Sequence, residues 1–140
     1  MKKRRYGREI ALKILYQLDT SGRPLPEIEE NTFQNEHVTE GIKEFACELA
    51  QGAMDHLLEI DSSLSHIATH WKINRMAVID RNILRVAFYE LQYNPKTPAS
   101  VIINEAIEIA KKYGDSKSYQ FINGILDKAA KELRKNTVTT

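Results

Sequence analysis

Glycine and proline are scarce in this 140-residue chain, and they separate long segments whose apolar residues recur at helical spacing. This spacing places the apolar side chains on one face of an α-helix, and no segment has the strict alternation typical of a β-strand. Breaker clusters such as Ser21-Gly22-Arg23-Pro24 divide the segments. A chain of this length can bury a proper core. The sequence therefore predicts an all-α fold of six to seven helices in a single compact domain, residues 1–140.

The helix boundaries can be predicted from capping residues and breakers. We expect helices over residues 3–19, a short one within 26–36, one from an N-cap at Thr39 to about residue 60, a short one capped by Asp61 or Ser62, one over 75–93 capped by Asn74, one from Thr97-Pro98 to Gly114, and a last one capped by Asp115 or Ser116. The segment 75–93 has the widest apolar stripe and is predicted to be the central helix. Glu90 borders that stripe and would need an arginine partner if it is buried. The tail at about 135–140 is predicted to be flexible.

Several classes of protein are not supported by the sequence. The formal net charge is +1, and no apolar run approaches the length of a membrane span. There is no secretory signal pattern, and Cys47 is the only cysteine, so we expect a cytoplasmic protein without disulfides. No catalytic or nucleotide-binding motif is present, so we predict a non-enzymatic protein without a cofactor. His66 and His70 have a spacing that can hold zinc on a helix, but a solvated helix face is the commoner explanation, and we assign no metal site.

Five of the first eight residues are basic, namely Lys2, Lys3, Arg4, Arg5 and Arg8. Cations at the N-terminus of a helix oppose the helix macrodipole, so stability alone does not explain them. Arg4 and Arg8 are four residues apart and share one face of a helix. Phosphate is the obvious anionic partner, and the alternative is that the charges only aid solubility. We call residues 1–8 the basic arm.

A second basic and aromatic cluster lies where the last two predicted helices meet. It contains Lys111, Lys112, Tyr113, Lys117, Tyr119 and Phe121. Aromatic rings at such a corner can stack on unpaired bases while lysines contact phosphates. Core packing is an alternative for Tyr113 and is favoured for Phe121 by the pattern alone. If both clusters contact one RNA, the N-terminus of the first helix must lie close to the start of the last helix.

Three blocks of the sequence carry a resemblance to a known family. They are RRYGREIALKILY at 4–16, DRNILRVAFYEL at 80–91 and VIINEAIEIAKKYGDSKSYQFINGILDKAA at 101–130. Together they resemble the NusB family of bacterial transcription antitermination factors. The resemblance implies an all-helical fold of two packed helical bundles. It also implies that the chain binds the boxA element of nascent ribosomal RNA transcripts as a single strand, together with the small-subunit ribosomal protein NusE, and helps RNA polymerase to read through terminators.

The resemblance also implies which residues make these contacts. Arg4, Arg5 and Arg8 of the basic arm, beside Lys2 and Lys3, are expected to contact RNA, as are Tyr113, Lys117, Ser118 and Phe121 at the corner. Asp80 and Arg81 are expected to dock the protein partner. Tyr6 stands where the family often has a basic residue, and Lys117 where an acidic residue also occurs.

Two other functions stay open at this point. The chain could be a protein-interaction adaptor whose affinity for RNA is incidental, or a domain related to the RNA-binding domains of ribosomal-RNA methyltransferases. The sequence does not give the oligomeric state, and a homodimer that hides the RNA surface is one alternative to a monomer.

Overall fold

The helical expectation is confirmed in residues 2–134, which the computed structural model describes. Within them lie seven α-helices, one 3-10 turn and no strand: α1 Lys2–Ser21, α2 Leu25–Gln34, α3 Glu40–Asp55, α4 Leu57–Ile67, the turn Ile73–Arg75, α5 Val78–Tyr93, α6 Ala99–Tyr113 and α7 Ser118–Leu133. The predicted tail at 135–140 lies outside the described residues. No helix in the described part is long and apolar enough to cross a bilayer.

The helices form two bundles that share α5. In the first bundle α1 packs against α2, α3 and α5; in the second α6 and α7 pack against each other and against α5, and α4 packs on α5 and α7. The apolar stripe of α5 is buried, with Leu84 and Phe88 completely enclosed. The prediction that 75–93 contains the central helix is therefore confirmed.

Some predicted boundaries are wrong because packing between helices overrides local capping signals. Thr39 does cap α3, since its hydroxyl accepts a hydrogen bond from the amide of Ile42 at 3.4 Å. The helix predicted to continue to about residue 60 breaks at His56, which separates α3 from α4. Asn74 is not an N-cap but lies inside the 3-10 turn, and α5 begins only at Val78.

Two local devices end helices where the bundles change direction. Gly22 follows α1 with φ +68°, a conformation that glycine adopts at little cost and other residues rarely adopt. At the other end of the fold, the Arg134 guanidinium is buried and donates to the carbonyl oxygens of Glu90, Leu91, Asn94 and Thr97 at 2.5–3.1 Å. These are carbonyl groups at and beyond the C-terminus of α5, so one side chain closes the end of the central helix.

Candidate nucleic-acid interface

Residues 3–8 of the basic arm lie in the first two turns of α1 and are only partly exposed. Lys3 and Arg4 are exposed, and neither forms an ion pair with any described residue. The Arg4 guanidinium lies 4.5 Å from the centre of the Phe45 ring on α3. The side chain of Lys2 lies outside what the structure describes. Lys3 and Arg4 are thus available to an anion.

Arg8 is not part of that exposed surface. Its side chain is 4% exposed, and its guanidinium donates to both oxygens of the Glu90 carboxylate at 2.8 and 2.9 Å. Arg8 does share a face with Arg4, because both guanidinium groups lie over the Phe45 ring. Because α5 supplies a buried carboxylate to Arg8, this burial argues against the expected contact of Arg8 with RNA, which stays a prediction to be tested.

Arg5 lies between these extremes. Its guanidinium makes two hydrogen bonds to the nearly buried carboxylate of Glu105 on α6, at 3.0 and 2.8 Å, while 42% of the Arg5 side chain stays exposed. The hydrogen bond raises the pKa of Arg5 and lowers the pKa of Glu105. Arg5 therefore fixes the start of α1 on α6 and still presents part of its cation to solvent.

The end of α6 lies directly against α1. Tyr113 and Lys112 both donate to one oxygen of the Glu9 carboxylate, each at 2.7 Å. Burial of the Tyr113 phenol, together with this hydrogen bond, raises its pKa, so it stays a neutral donor. The structure thus places α1, just after the basic arm, against the end of α6, and Tyr113 is partly committed to Glu9.

The corner between α6 and α7 is held by its own short-range contacts. The Ser118 hydroxyl accepts from the amide of Asp115 at 3.1 Å, and Asp115 accepts from the amide of Lys117 at 2.8 Å. Ser118 is only 3% exposed and offers little surface to RNA, so its expected contact stays a prediction. A side chain at Gly114 would place its Cβ 2.6 Å from that of Ser118, so the turn requires glycine. Lys117, in contrast, is exposed.

Phe121 is partly buried and has an aromatic neighbour that the sequence reasoning missed. Its ring meets the ring of Trp71 edge to face, with centroids 5.2 Å apart and planes at 80°. Trp71 precedes the 3-10 turn and is 58% exposed. The available signal was that Trp71 is the only tryptophan in the chain and stands between His70 and Lys72. Phe121 thus packs against the segment after α4.

Asp80 is less accessible than a docking residue should be. It lies in the first turn of α5, is 8% exposed, and its Oδ1 has no hydrogen-bond partner among the described residues. Burial, with the nearby Asp115 carboxylate, raises the pKa of Asp80. The packing of α5 draws Asp80 inward toward the corner, so little of it is exposed to a partner, and its expected docking role stays a prediction.

Arg81 belongs to an ion-pair network at the other end of α1. It donates to Asp19 at 2.7 Å, and Arg85 bridges the same Asp19 to Asp61 on α4. Burial opposes ionisation of Asp19, but hydrogen bonds from Arg81 and Asn82 lower its pKa overall. The Arg81 side chain is 15% exposed and paired with Asp19, so most of its charge is used inside the protein, and its expected docking role stays a prediction.

The weak metal hypothesis does not gain support. His70 lies beyond the end of α4, so it does not form a helical pair with His66. Among residues 2–134, no group of three His, Cys, Asp or Glu side chains is placed to hold a metal ion.

Burial raises the pKa of the Cys47 thiol to about 11, which leaves it protonated and unreactive at neutral pH.

Known proteins resemble this chain over nearly its whole length. The model of the NusB family matches residues 5–131. The transcription antitermination protein NusB of Desulfitobacterium hafniense is 44% identical over 134 residues, which cover 94% of this chain and 90% of the relative. The protein of the same name from Geobacter sulfurreducens is 44% identical over 131 residues, covering 93% and 95%.

Solved structures agree with these relatives. NusB of Thermotoga maritima ("T. maritima NusB") superposes with a TM-score of 0.88 at 39% identity and covers 98% of this chain and 97% of its own. A crystallised complex of the antitermination factors NusB and NusE with double-stranded RNA contains a chain with a TM-score of 0.85 at 28% identity, covering 94% and 98%. The prediction of a non-enzymatic protein agrees with this group of relatives. With its helical architecture, partly exposed basic arm and near full-length matches, the chain belongs to the NusB family of transcription antitermination proteins.

Proposed function

We propose that this protein binds the boxA element of nascent ribosomal RNA transcripts together with the ribosomal protein NusE, in the cytoplasm, and so helps RNA polymerase to pass terminators. The observation that carries the proposal is the similarity of nearly the whole chain to a protein crystallised with NusE and RNA. Family membership supports the antitermination role. The exposed cations of α1 supply the charge that phosphate binding needs.

The proposed RNA surface is narrower than the sequence suggested. It comprises Lys3, Arg4 and the exposed part of Arg5, and it continues to Lys117 and Phe121 past the corner. Arg8 and Ser118 support this surface from beneath, because each is buried and hydrogen-bonded within the protein. Most other cations near α1 already face a carboxylate, as Lys112 does with Glu9. The unpaired cations therefore define where an RNA backbone would lie.

Replacing Arg4 and Arg5 together by alanine tests the RNA surface. The affinity for single-stranded boxA RNA should fall, and the slope of log K against log salt should decrease by about 0.7 for each phosphate that is no longer neutralised. A matched control removes two exposed arginines elsewhere, Arg23→Ala with Arg75→Ala, and changes the net charge equally. Circular dichroism would verify folding, since Arg5 also pairs with Glu105. Equal affinities for the two double variants would refute the site.

The docking of NusE near the start of α5 is a proposal that rests on the family resemblance. Since Asp80 is buried, the test uses the isosteric change Asp80→Asn rather than a charge reversal. We expect weaker NusE binding with unchanged RNA affinity of the isolated protein. If NusE binds the variant as it binds the original protein, Asp80 is not part of the docking site.

Light scattering of the free chain, with and without boxA RNA and NusE, would address oligomeric state and the adaptor alternative together. We expect RNA to form a complex with the chain alone. When NusE is also added, we expect a larger complex that contains all three. Dissociation of a homodimer on adding RNA would indicate that self-association hides the basic arm. A protein that assembles with NusE but binds no boxA RNA at physiological salt would be an adaptor.

A further inference from the structure

A groove lies between the segment that follows α4 and the exposed side of α7. Trp71 and Phe121 both line it, and the groove has a volume of about 440 Å³. That volume falls within the range of about 300–1,000 Å³ that is common for ligand sites. We call this feature the Trp71 groove.

The aromatic pair in the Trp71 groove is arranged to receive a flat ring. Trp71 is 58% exposed, an uncommon level for the largest apolar side chain. Its edge-to-face contact with Phe121 holds the indole in place, and no parallel aromatic ring among the described residues stacks on it. A held indole with uncovered surface is the element on which single-stranded nucleic acids stack.

Gly124 keeps the wall of the groove open. It lies inside α7, where glycine is less favourable than alanine. Close packing of two helices would explain such a glycine, but a Cβ built at Gly124 meets no atom within 4 Å. Gly124 lines the groove with Phe121. Because glycine has no side chain, the space in front of α7 stays open.

The charge of the groove complements a polyanion. Lys117 and Lys128 stand along it, and no Asp or Glu belongs to its lining. Neither lysine has a carboxylate within ion-pair distance in the described part of the chain. Around α1, in contrast, Lys112 and Arg5 are both paired with carboxylates. The Trp71 groove thus keeps its cations free.

We propose that the Trp71 groove binds an unpaired base of single-stranded RNA, which stacks on Trp71 while Lys117 and Lys128 contact the flanking phosphates. The inference rests on the proposed RNA-binding function and extends it past the corner. Tyr113 ends α6 and contacts Glu9 of α1. Lys117, four residues later, lines the groove. An RNA strand that leaves the basic arm would cross the corner and enter the groove.

Trp71 itself supplies the most direct test, because it is the only tryptophan of the protein. Titration with single-stranded boxA RNA should quench the tryptophan fluorescence saturably, with the midpoint that fluorescence anisotropy of labelled RNA gives. RNA annealed to its complement has no unpaired base to offer and should quench far less. Unchanged tryptophan emission when the RNA is fully bound would overturn the proposal.

Variants separate stacking from charge. Trp71→Ala should weaken RNA binding at least about fivefold, the low end for loss of one stacked base, whereas Trp71→Phe should retain most of the affinity. Gly124→Leu leaves Trp71 intact and fills the groove, so it should weaken binding similarly. Lys128→Gln should lower the salt slope by about 0.7, while Lys131→Gln, on the same helix but outside the groove, should leave it unchanged.

The outcomes distinguish this inference from the function on which it rests. If the original protein binds no boxA RNA, the proposed function fails. If Arg4→Ala with Arg5→Ala weakens binding but Trp71→Ala and Gly124→Leu do not, the function stands and the groove is not an RNA site. If these two groove variants weaken only the binding of NusE, the groove belongs to a protein partner and the inference is wrong.

Discussion

The buried pair of Arg8 and Glu90 allows a strong prediction about stability. Arg8 is 4% exposed and Glu90 is 1% exposed, and two hydrogen bonds join them. In Arg8→Met the apolar length of the side chain is kept, but the Glu90 carboxylate loses its partner. Arg134 lies nearby, yet it already donates to four backbone carbonyl groups, Glu90's own among them. The carboxylate would therefore stay buried and unpaired.

Breaking a buried pair in this way costs about 3–5 kcal/mol. A domain of this size has an unfolding free energy on the order of 10 kcal/mol, so the loss is a large part of the total. The midpoint of thermal unfolding should fall by roughly 10–15 °C, as followed by far-ultraviolet circular dichroism. Adding Glu90→Leu should recover most of the loss, because a well-packed apolar pair can replace a buried ion pair at little cost.

Binding measurements on the same variant test whether Arg8 contacts RNA. Well below its unfolding midpoint, Arg8→Met should bind boxA RNA with an unchanged salt slope, since the buried guanidinium meets no phosphate. The reasoning is refuted if the unfolding free energy falls by less than about 1 kcal/mol, or if the slope falls by about 0.7, as it would if Arg8 neutralised a phosphate.

Three further changes follow from individual contacts. Gly124→Ala should raise the unfolding free energy in urea by about 0.5–1 kcal/mol, because the new methyl group meets open space and alanine favours the helix. Gly52→Ala should lower it by about 1–3 kcal/mol, since a Cβ there would overlap the Tyr89 ring. The Glu105 carboxylate, whose pKa is lowered by its hydrogen bond to Arg5, stabilises the fold above its usual pKa of 4.5, and this contribution is lost as pH falls through the lower pKa of the folded state. Below pH 4.5 the midpoint of thermal unfolding should therefore fall less steeply with falling pH for Glu105→Gln than for the original chain. Parallel plots of midpoint against pH would contradict the assignment.

The fold was largely predictable because helical periodicity is a local property. Breakers and apolar spacing located seven helical regions, and Thr39 was predicted as a cap that the structure confirms. The error at His56 has a different origin. The apolar pattern continues through it, but packing of two helices on α5 bends the chain there. Such a break depends on contacts between distant elements, which the local pattern does not contain.

The site was predicted less well, because exposure is decided by neighbours far away in the chain. Arg4 and Arg8 look equivalent on a helical wheel, yet only Arg8 meets a carboxylate, from a residue 82 positions away. Glu90 was expected to need an arginine, and nothing local indicated which one. The local sequence pattern does not single out Trp71, because its ring meets Phe121 only when α7 packs beside it.

The Arg134 contact has a consequence for the order in which a newly made chain can complete its fold. The carbonyl groups of Glu90, Leu91, Asn94 and Thr97 emerge from the ribosome well before the side chain that satisfies them, and 37 residues separate Thr97 from Arg134. At about 5–20 residues per second, synthesis takes roughly 2–7 s to cover that distance. During this interval the end of α5 depends on water for its hydrogen bonds. A nascent chain that carries the basic arm thus exposes its cations before its central helix is closed.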